Sequence, residues 1–139
     1  MMRKALLLIL LAAIDCTAEA EWIRIGDDDK KTVYADTTSI QSKADKVEML
    51  ELHDYKQRQY SSEDIRFRSL VLFVSEKRRV EYDCKNGRAR PRHFSFYQEP
   101  MGELTGDTMP LSVTTDYKEW VAVSPDTIAA LLLKFACAS

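Results

Sequence analysis

Apolar residues in this chain fall first in one solid block and afterwards mostly at alternate positions. The block covers residues 5–14, with Arg3 and Lys4 before it and Ala18-Glu19-Ala20 after it. A short basic start, an apolar stretch and small residues at the cleavage positions make the layout of a secretory signal peptide over 1–20, cut after Ala20. Ten apolar residues span about 15 Å as a helix, half of a bilayer core, and so do not predict a permanent membrane span. Cys16 offers another reading, a bacterial lipoprotein signal cut before a lipidated cysteine. Asp15 stands where that signal needs a small residue.

Past residue 20 the period becomes two, the mark of strands. Residues 22–26 place Ile23 and Ile25 on one face and Trp22 and Arg24 on the other. A polar turn at 27–31 and a returning strand at 32–36 predict a hairpin. Residues 37–44 are polar and predict a turn or one helical turn. Residues 46–55 read as a strand whose apolar phase moves from Val47 and Met49 to Leu50 and Leu52. That needs either a bulge or cover on both faces.

Polar residues 57–64 predict a mobile loop. Strand character resumes over 67–85, open to a turn within 75–79, with Leu70, Leu72, Val74, Val80, Tyr82 and Cys84 on one side. Asn86-Gly87 suits a two-residue type I′ hairpin. That register sets Lys85 opposite Arg88, Cys84 opposite Ala89, Asp83 opposite Arg90, Glu81 opposite Arg92 and Val80 opposite His93. It sends Phe94 and Phe96 to the face away from Cys84, where they need a bulge near Pro91 or a covering partner.

Residues 99–108, with Pro100, Gly102 and Gly106, predict a loop, and 111–115 and 119–123 predict strands. Ser124-Pro125 predicts a helix start, with the hydroxyl as cap and proline in the first turn. Ile128, Leu131, Leu132 and Phe135 form one apolar stripe, broadened by Ala129, Ala130 and Leu133 into a mostly buried helix. Asp126 and Lys134 suit its dipole. The fold class is α+β: one domain over 21–139, a mainly antiparallel sheet packed against a C-terminal helix.

Charge narrows the partners. The chain has 139 residues and a net charge of −2; the signal peptide carries two bases and two acids, so its removal leaves the balance unchanged. A near-neutral chain lacks the dominant basic surface of a nucleic-acid binder. Removing the signal peptide also leaves two cysteines, Cys84 and Cys137, and an oxidising destination makes a disulfide the expectation. Closing so long a loop is worth up to about 4 kcal/mol. The alternative is a pair of buried free thiols. Their spacing excludes CxxC redox or zinc chemistry.

No motif assembles a catalytic, metal or cofactor site. Asp27-Asp28-Asp29 lacks the spacing, the glycine turn and the distal glutamate of a calcium loop. His53-Asp54 could orient a general base, but nothing ties a nucleophile to it. His93 reads as a packing residue. The best candidate for partner binding is the basic run Lys77, Arg78, Arg79, Lys85, Arg88, Arg90 and Arg92, set against Glu81 and Asp83; such a patch steers acidic partners. The plainer reading is a solvated hairpin neutralised by its own pairs. Phe94 and Phe96 could join an aromatic patch for a protein partner or a homodimer, whereas Trp22 and Trp120 read as core.

These pieces together resemble a known family. Trp22, Val33-Tyr34-Ala35-Asp36, Ser39-Ile40, Asp54-Tyr55, Ser69-Leu70, Tyr82-Asp83-Cys84, Met101-Gly102, Trp120-Val121-Ala122-Val123-Ser124-Pro125 and Lys134-Phe135-Ala136-Cys137 follow, in order, the pattern of the surface-adhesin protein E domain of Gram-negative bacteria. The resemblance implies a sheet packed on a C-terminal helix, a Cys84–Cys137 disulfide and adhesion to host matrix or plasma proteins without catalysis. One departure is Asp126, where the family often has glycine. A periplasmic structural or inhibitor-like envelope protein is the alternative function. Export to the periplasm or cell surface is expected in both cases, with membrane attachment only if Cys16 is lipidated.

Overall fold

The computed structural model describes residues 20–61, 71–104, 111–114 and 118–139. Residues 1–19, where a signal peptide and Cys16 are expected, the expected loop positions 62–64 and 105–108, the expected strand start at 67–70 and Thr115 lie outside the described residues. Alternation is realised as one antiparallel sheet: β1 (Trp22–Asp27), β2 (Lys31–Asp36), β3 (Gln41–Lys43), β4 (Lys46–Ser61), β5 (Val71–Asp83), β6 (Arg88–Tyr97), β7 (Leu111–Thr114) and β8 (Val121–Ala122). Helix α1 (Ile128–Cys137) follows. The strand order is β1-β2-β4-β5-β6-β7, with β3 also on β4 and β8 also on β6. Among the described residues no helix is long and apolar enough to cross a membrane.

One face of the sheet, here the inner face, carries α1. Val33, Ala35, Val47, Met49, Val80 and Tyr82 meet Leu132 and Ala136 there in a single apolar core. The disulfide joins Cys84 to Cys137 with the Cα atoms 5.7 Å apart, so the end of α1 is pinned to the β5–β6 hairpin. The other, outer face buries Leu52 beneath a short 3-10 turn at Pro100–Gly102. Met101 N–H donates to Asp54 Oδ1 at 3.0 Å, and Gly102 N–H donates to Ser75 Oγ at 2.9 Å. The phase change along β4 is therefore met by cover on both faces, since the β4–β5 register is unbroken from Lys46 to Asp54. Gly102 sits at φ +63°, and a Cβ there would lie 2.5 Å from Lys77 Cε; glycine takes that left-handed position without strain, where a larger residue would also push the end of Lys77 aside.

Several expectations are corrected. β4 runs on to Ser61 instead of yielding to a loop at 57, after its pairing with β5 shifts between Asp54 and Gln59. β5 is continuous through 75–79 because both neighbouring strands pair with that stretch. Gln41–Lys43, expected within a turn, form β3. The hairpin closes with a four-residue turn, so Asp83 pairs with Arg88, Tyr82 with Ala89, Glu81 with Arg90 and Val80 with Pro91. Asp83 causes this: its carboxylate accepts from Asn86 N–H at 3.3 Å, Asn86 Nδ2 at 2.9 Å and Arg88 at 2.7 Å, holding a wider loop.

The bulge anticipated near Pro91 is present. The register slips between Val80↔Pro91 and Arg79↔His93, leaving Arg92 as the extra residue. One inserted residue flips the phase. Phe94 and Phe96 then lie opposite Arg78 and Glu76, on the inner face with Val80 and Tyr82, not on the face away from Cys84.

The helix begins later than Ser124-Pro125 predicts. Thr127 caps it, its Oγ1 accepting from Ala130 N–H at 3.1 Å. Asp126 is left-handed at φ 60°, which halts the helix there and keeps its carboxylate out of the first turn. Asp tolerates that conformation, though less readily than glycine does. The helix is also less buried than its stripe suggests, for Leu131 is 48 % exposed while Leu132 and Ala136 are covered. Both tryptophans are half-buried and capped by cations rather than set in the core.

Candidate functional site

The basic residues expected to bind a partner divide between two faces. Strand alternation puts Lys77 and Arg79 on the outer face and Arg78 on the inner one. Lys77 lies over Tyr97 at 4.9 Å and over Trp22 at 5.8 Å. Arg79 reaches Glu48 at 3.5 Å. Arg88 and Arg90 bond across the hairpin to Asp83 at 2.7 Å and Glu81 at 3.2 Å. Both guanidiniums also cover Trp120, at 5.5 Å and 4.3 Å from the ring centre, with Lys46 on the same ring at 5.8 Å. Lys85 is exposed in the turn and Arg92 half-buried in the bulge. Lys46, Lys85, Arg88, Arg90 and Trp120 thus gather at the hairpin end of the outer face, while Arg78 is removed from the set.

Hydrogen bonds first from Asn86 and then from Arg88 hold the Asp83 carboxyl well below the ordinary carboxylate range. The Asp27-Asp28-Asp29 tip is occupied by its own turn, with Asp28 Oδ1 accepting from Lys30 and Lys31 N–H at 2.8 and 2.9 Å. Asp27 pairs with Arg24 at 2.9 Å and Lys56 at 3.0 Å. Among the described residues no group of three or more His, Cys, Asp or Glu side chains could hold a metal ion.

The inner face holds a second arrangement. Beyond the apolar core, Glu51, His53 and Tyr55 of β4 continue the face begun by Val47 and Met49, and Glu76 and Arg78 of β5 lie across from them. Tyr82 Oη donates to Glu51 Oε2, and His53 Nε2 bonds Glu51 Oε1 at 2.9 Å. Arg78 pairs with Glu76 and lies 3.4 Å from Tyr55 Oη, with its guanidinium 5.5 Å from the Phe94 ring centre. Phe94 stacks on Phe96 at 6.2 Å, and Phe96 meets Phe73 at 4.8 Å.

Burial, followed by the charge of Arg78, pushes the His53 pKa below its ordinary 6.5 against the pull of Glu51. His53 is therefore neutral at pH 7. Burial and then Glu76 push Tyr55 up to about 12. Burial pulls Arg78 down, but Glu76, Tyr55 and Glu51 together outweigh it and the net shift is upward. Glu51, His53, Arg78 and Tyr82 of this row form the floor of a cavity of about 440 Å³, roofed by the β8 segment and the start of α1.

A family model for surface-adhesin protein E matches residues 22–138. The chain belongs to that family. The fold agrees: crystal form II of Haemophilus influenzae protein E superposes with a TM-score of 0.58 at 17 % identity, covering 84 % of this chain and 87 % of that one. Protein E from non-typeable Haemophilus influenzae gives 0.57 at 16 % identity, covering 88 % and 79 %. No curated protein sequence matches at a significant level.

Two things escaped the sequence. The first is Trp120 as the platform for Arg88 and Arg90, which a strand pattern cannot place. The second is the inner polar row. His53 looked tied to Asp54, yet adjacent strand residues point to opposite faces, and its partner is Glu51. The available signal was the repeat Val47-Met49-Glu51-His53-Tyr55, one face that changes from apolar to polar.

Proposed function

We propose that this protein is an exported, non-enzymatic adhesin that binds host matrix or plasma proteins through the hairpin end of its outer face. Family membership over residues 22–138 carries the reading. The cluster of Lys85, Arg88, Arg90, Lys46 and Trp120 supports it, since cations around an aromatic ring recognise acidic protein segments by charge and stacking together. Export rests on the signal peptide over 1–20, which N-terminal mass spectrometry of the native protein would find removed.

The test is binding of the purified protein to immobilised matrix proteins across a salt series. Lys46→Ser, Lys85→Ser and Arg90→Ser combined should abolish the salt-sensitive part. Arg88 stays in place because Asp83 depends on it. Binding that is unchanged in the triple variant and insensitive to salt overturns the assignment of this surface.

A second reading is a periplasmic structural or inhibitor-like envelope protein. The pairing of Arg79, Arg88 and Arg90 with Glu48, Asp83 and Glu81 favours it, because paired cations have less charge to offer a partner. Cell fractionation with surface protease treatment separates the two: adhesion requires a protease-accessible pool on intact cells, and the second reading a protected soluble one.

A further inference from the structure

We propose that the cavity beneath α1 binds a small amphiphile, an apolar chain ending in a carboxylic acid, with His53 and Lys31 taking the head group. The cavity holds about 440 Å³, inside the range of small-molecule sites. Its walls include Val80, Ala89, Pro91, Ile128 and Leu132, its charged and aromatic polar side chains are Lys31, Glu51, His53, Arg78 and Tyr82 from the sheet, and Ser124 and Thr127 line it by the start of α1. The Thr127 hydroxyl is taken up in the helix cap, so the charged groups of the sheet are the ones placed to hold the polar terminus of an apolar chain.

The head group follows from hydrogen-bond accounting. Glu51 accepts from Tyr82 on one oxygen and faces His53 Nε2 at 2.9 Å on the other. A neutral imidazole opposite a carboxylate carries its proton on that nitrogen. Nδ1 is then a bare acceptor. It is buried without a hydrogen-bond partner among the described residues, in a residue only about 3 % exposed, so a ligand in the cavity reaches it through a small shift of the ring. Such a group in a folded protein calls for a donor.

A carboxylic acid supplies the donor and also suits the charges. Arg78 is matched by Glu76, and Glu51 by its two donors. Lys31 is half-buried, its ammonium 5.6 Å from the Tyr55 ring centre. When the acid enters, its O–H proton passes to Nδ1. Imidazolium then lies between Glu51 and the new carboxylate, and Lys31 faces that carboxylate as well. The acid is ionised in neutral water and takes up one proton from solvent as it binds, so the total charge of the site is unchanged and no ion is buried alone. An amine head group would set a third cation beside Lys31 and Arg78. An alcohol could donate to Nδ1 but would leave Lys31 unanswered. This proposal is independent of protein binding at the outer face.

Decanoic acid, decanol and decylamine are the probes, each titrated by calorimetry into the purified exported protein, with the imidazole nitrogens followed by NMR. Decanoic acid should bind saturably and about tenfold or more tighter than decanol, decylamine should not bind, and the Nδ1 signal should move from bare acceptor to protonated. Ala129→Trp, at an exposed position lining the cavity, should remove binding while leaving the unfolding midpoint in place. His53→Gln should remove the preference for the acid. No saturable binding of decanoic acid overturns the proposal. So do equal binding of all three probes, binding undiminished by Ala129→Trp, and an Nδ1 signal that does not move.

Discussion

Arg78 and Arg79 are neighbours in sequence and belong to two different kinds of chemistry. Arg78 points to the inner face, where Glu76, Tyr55 and Phe94 enclose it. Arg79 points to the outer face, where its partner Glu48 also reaches Lys43. The inner face sets its charges next to an apolar core and must satisfy each one locally. The outer face keeps most of its charges near water, with Asp83 buried beneath Arg88, and the cations at the hairpin end surround Trp120. One residue along a strand decides whether an arginine is a structural necessity or an adjustable contact.

The sharpest way to break this contrast is to truncate the two arginines in turn. Arg78→Met leaves Glu76 buried without its cation and should cost about 3–5 kcal/mol. Arg79→Met removes an exposed pair and should cost about 1 kcal/mol or less. Urea unfolding measures both, and equal losses would show that the faces do not differ as described.

Next in size is the disulfide. Replacing Cys84 and Cys137 by serine should destabilise by about 2–4 kcal/mol. The loss should fall on the inner face, since α1 is then held by side-chain packing alone. Hydrogen exchange should accelerate in α1 and at Tyr82 before it does along the outer turn at Pro100–Gly102.

The smallest effect is a pH dependence that separates the faces by range. His53 has its pKa lowered in the fold from 6.5. Below that value the unfolded chain takes a proton that the folded one refuses, so stability falls as pH drops through about 6. Asp83 is likewise lowered, from 3.8. Its contribution is intact above about pH 4 and is lost only in stronger acid. The unfolding midpoint should therefore decline in two stages, and His53→Gln should erase the first while leaving the second.

Much of the fold was legible. Alternation located most strands, and Phe94 and Phe96 called for either a bulge near Pro91 or a covering partner, because two aromatics on a solvated face conflict with the pattern around them; the bulge is what the chain adopts. Asn86-Gly87 marked the turn but misjudged its length. Local turn preference cannot weigh Asp83, whose three hydrogen bonds reach past the two central residues. The helix start failed for a similar reason: Ser124-Pro125 has the chemistry of a cap, but Asp126 turns left-handed and Thr127 takes over. Of the candidate site, the basic residues of the hairpin were visible as a run, and Trp120 as their platform was not.

By itself the sequence determined the strand periods, the two cysteines available for pairing and the apolar stripe of the last helix. Each depends on residues a few positions apart, or on mere presence in the chain. Only the tertiary structure decided that Glu51, His53 and Arg78 share one floor beneath α1, and that Arg88 and Arg90 close on Trp120. Alternation states which residues share a face. It does not state which distant strand lies alongside or what covers that face, because those follow from the summed fit of segments remote in sequence.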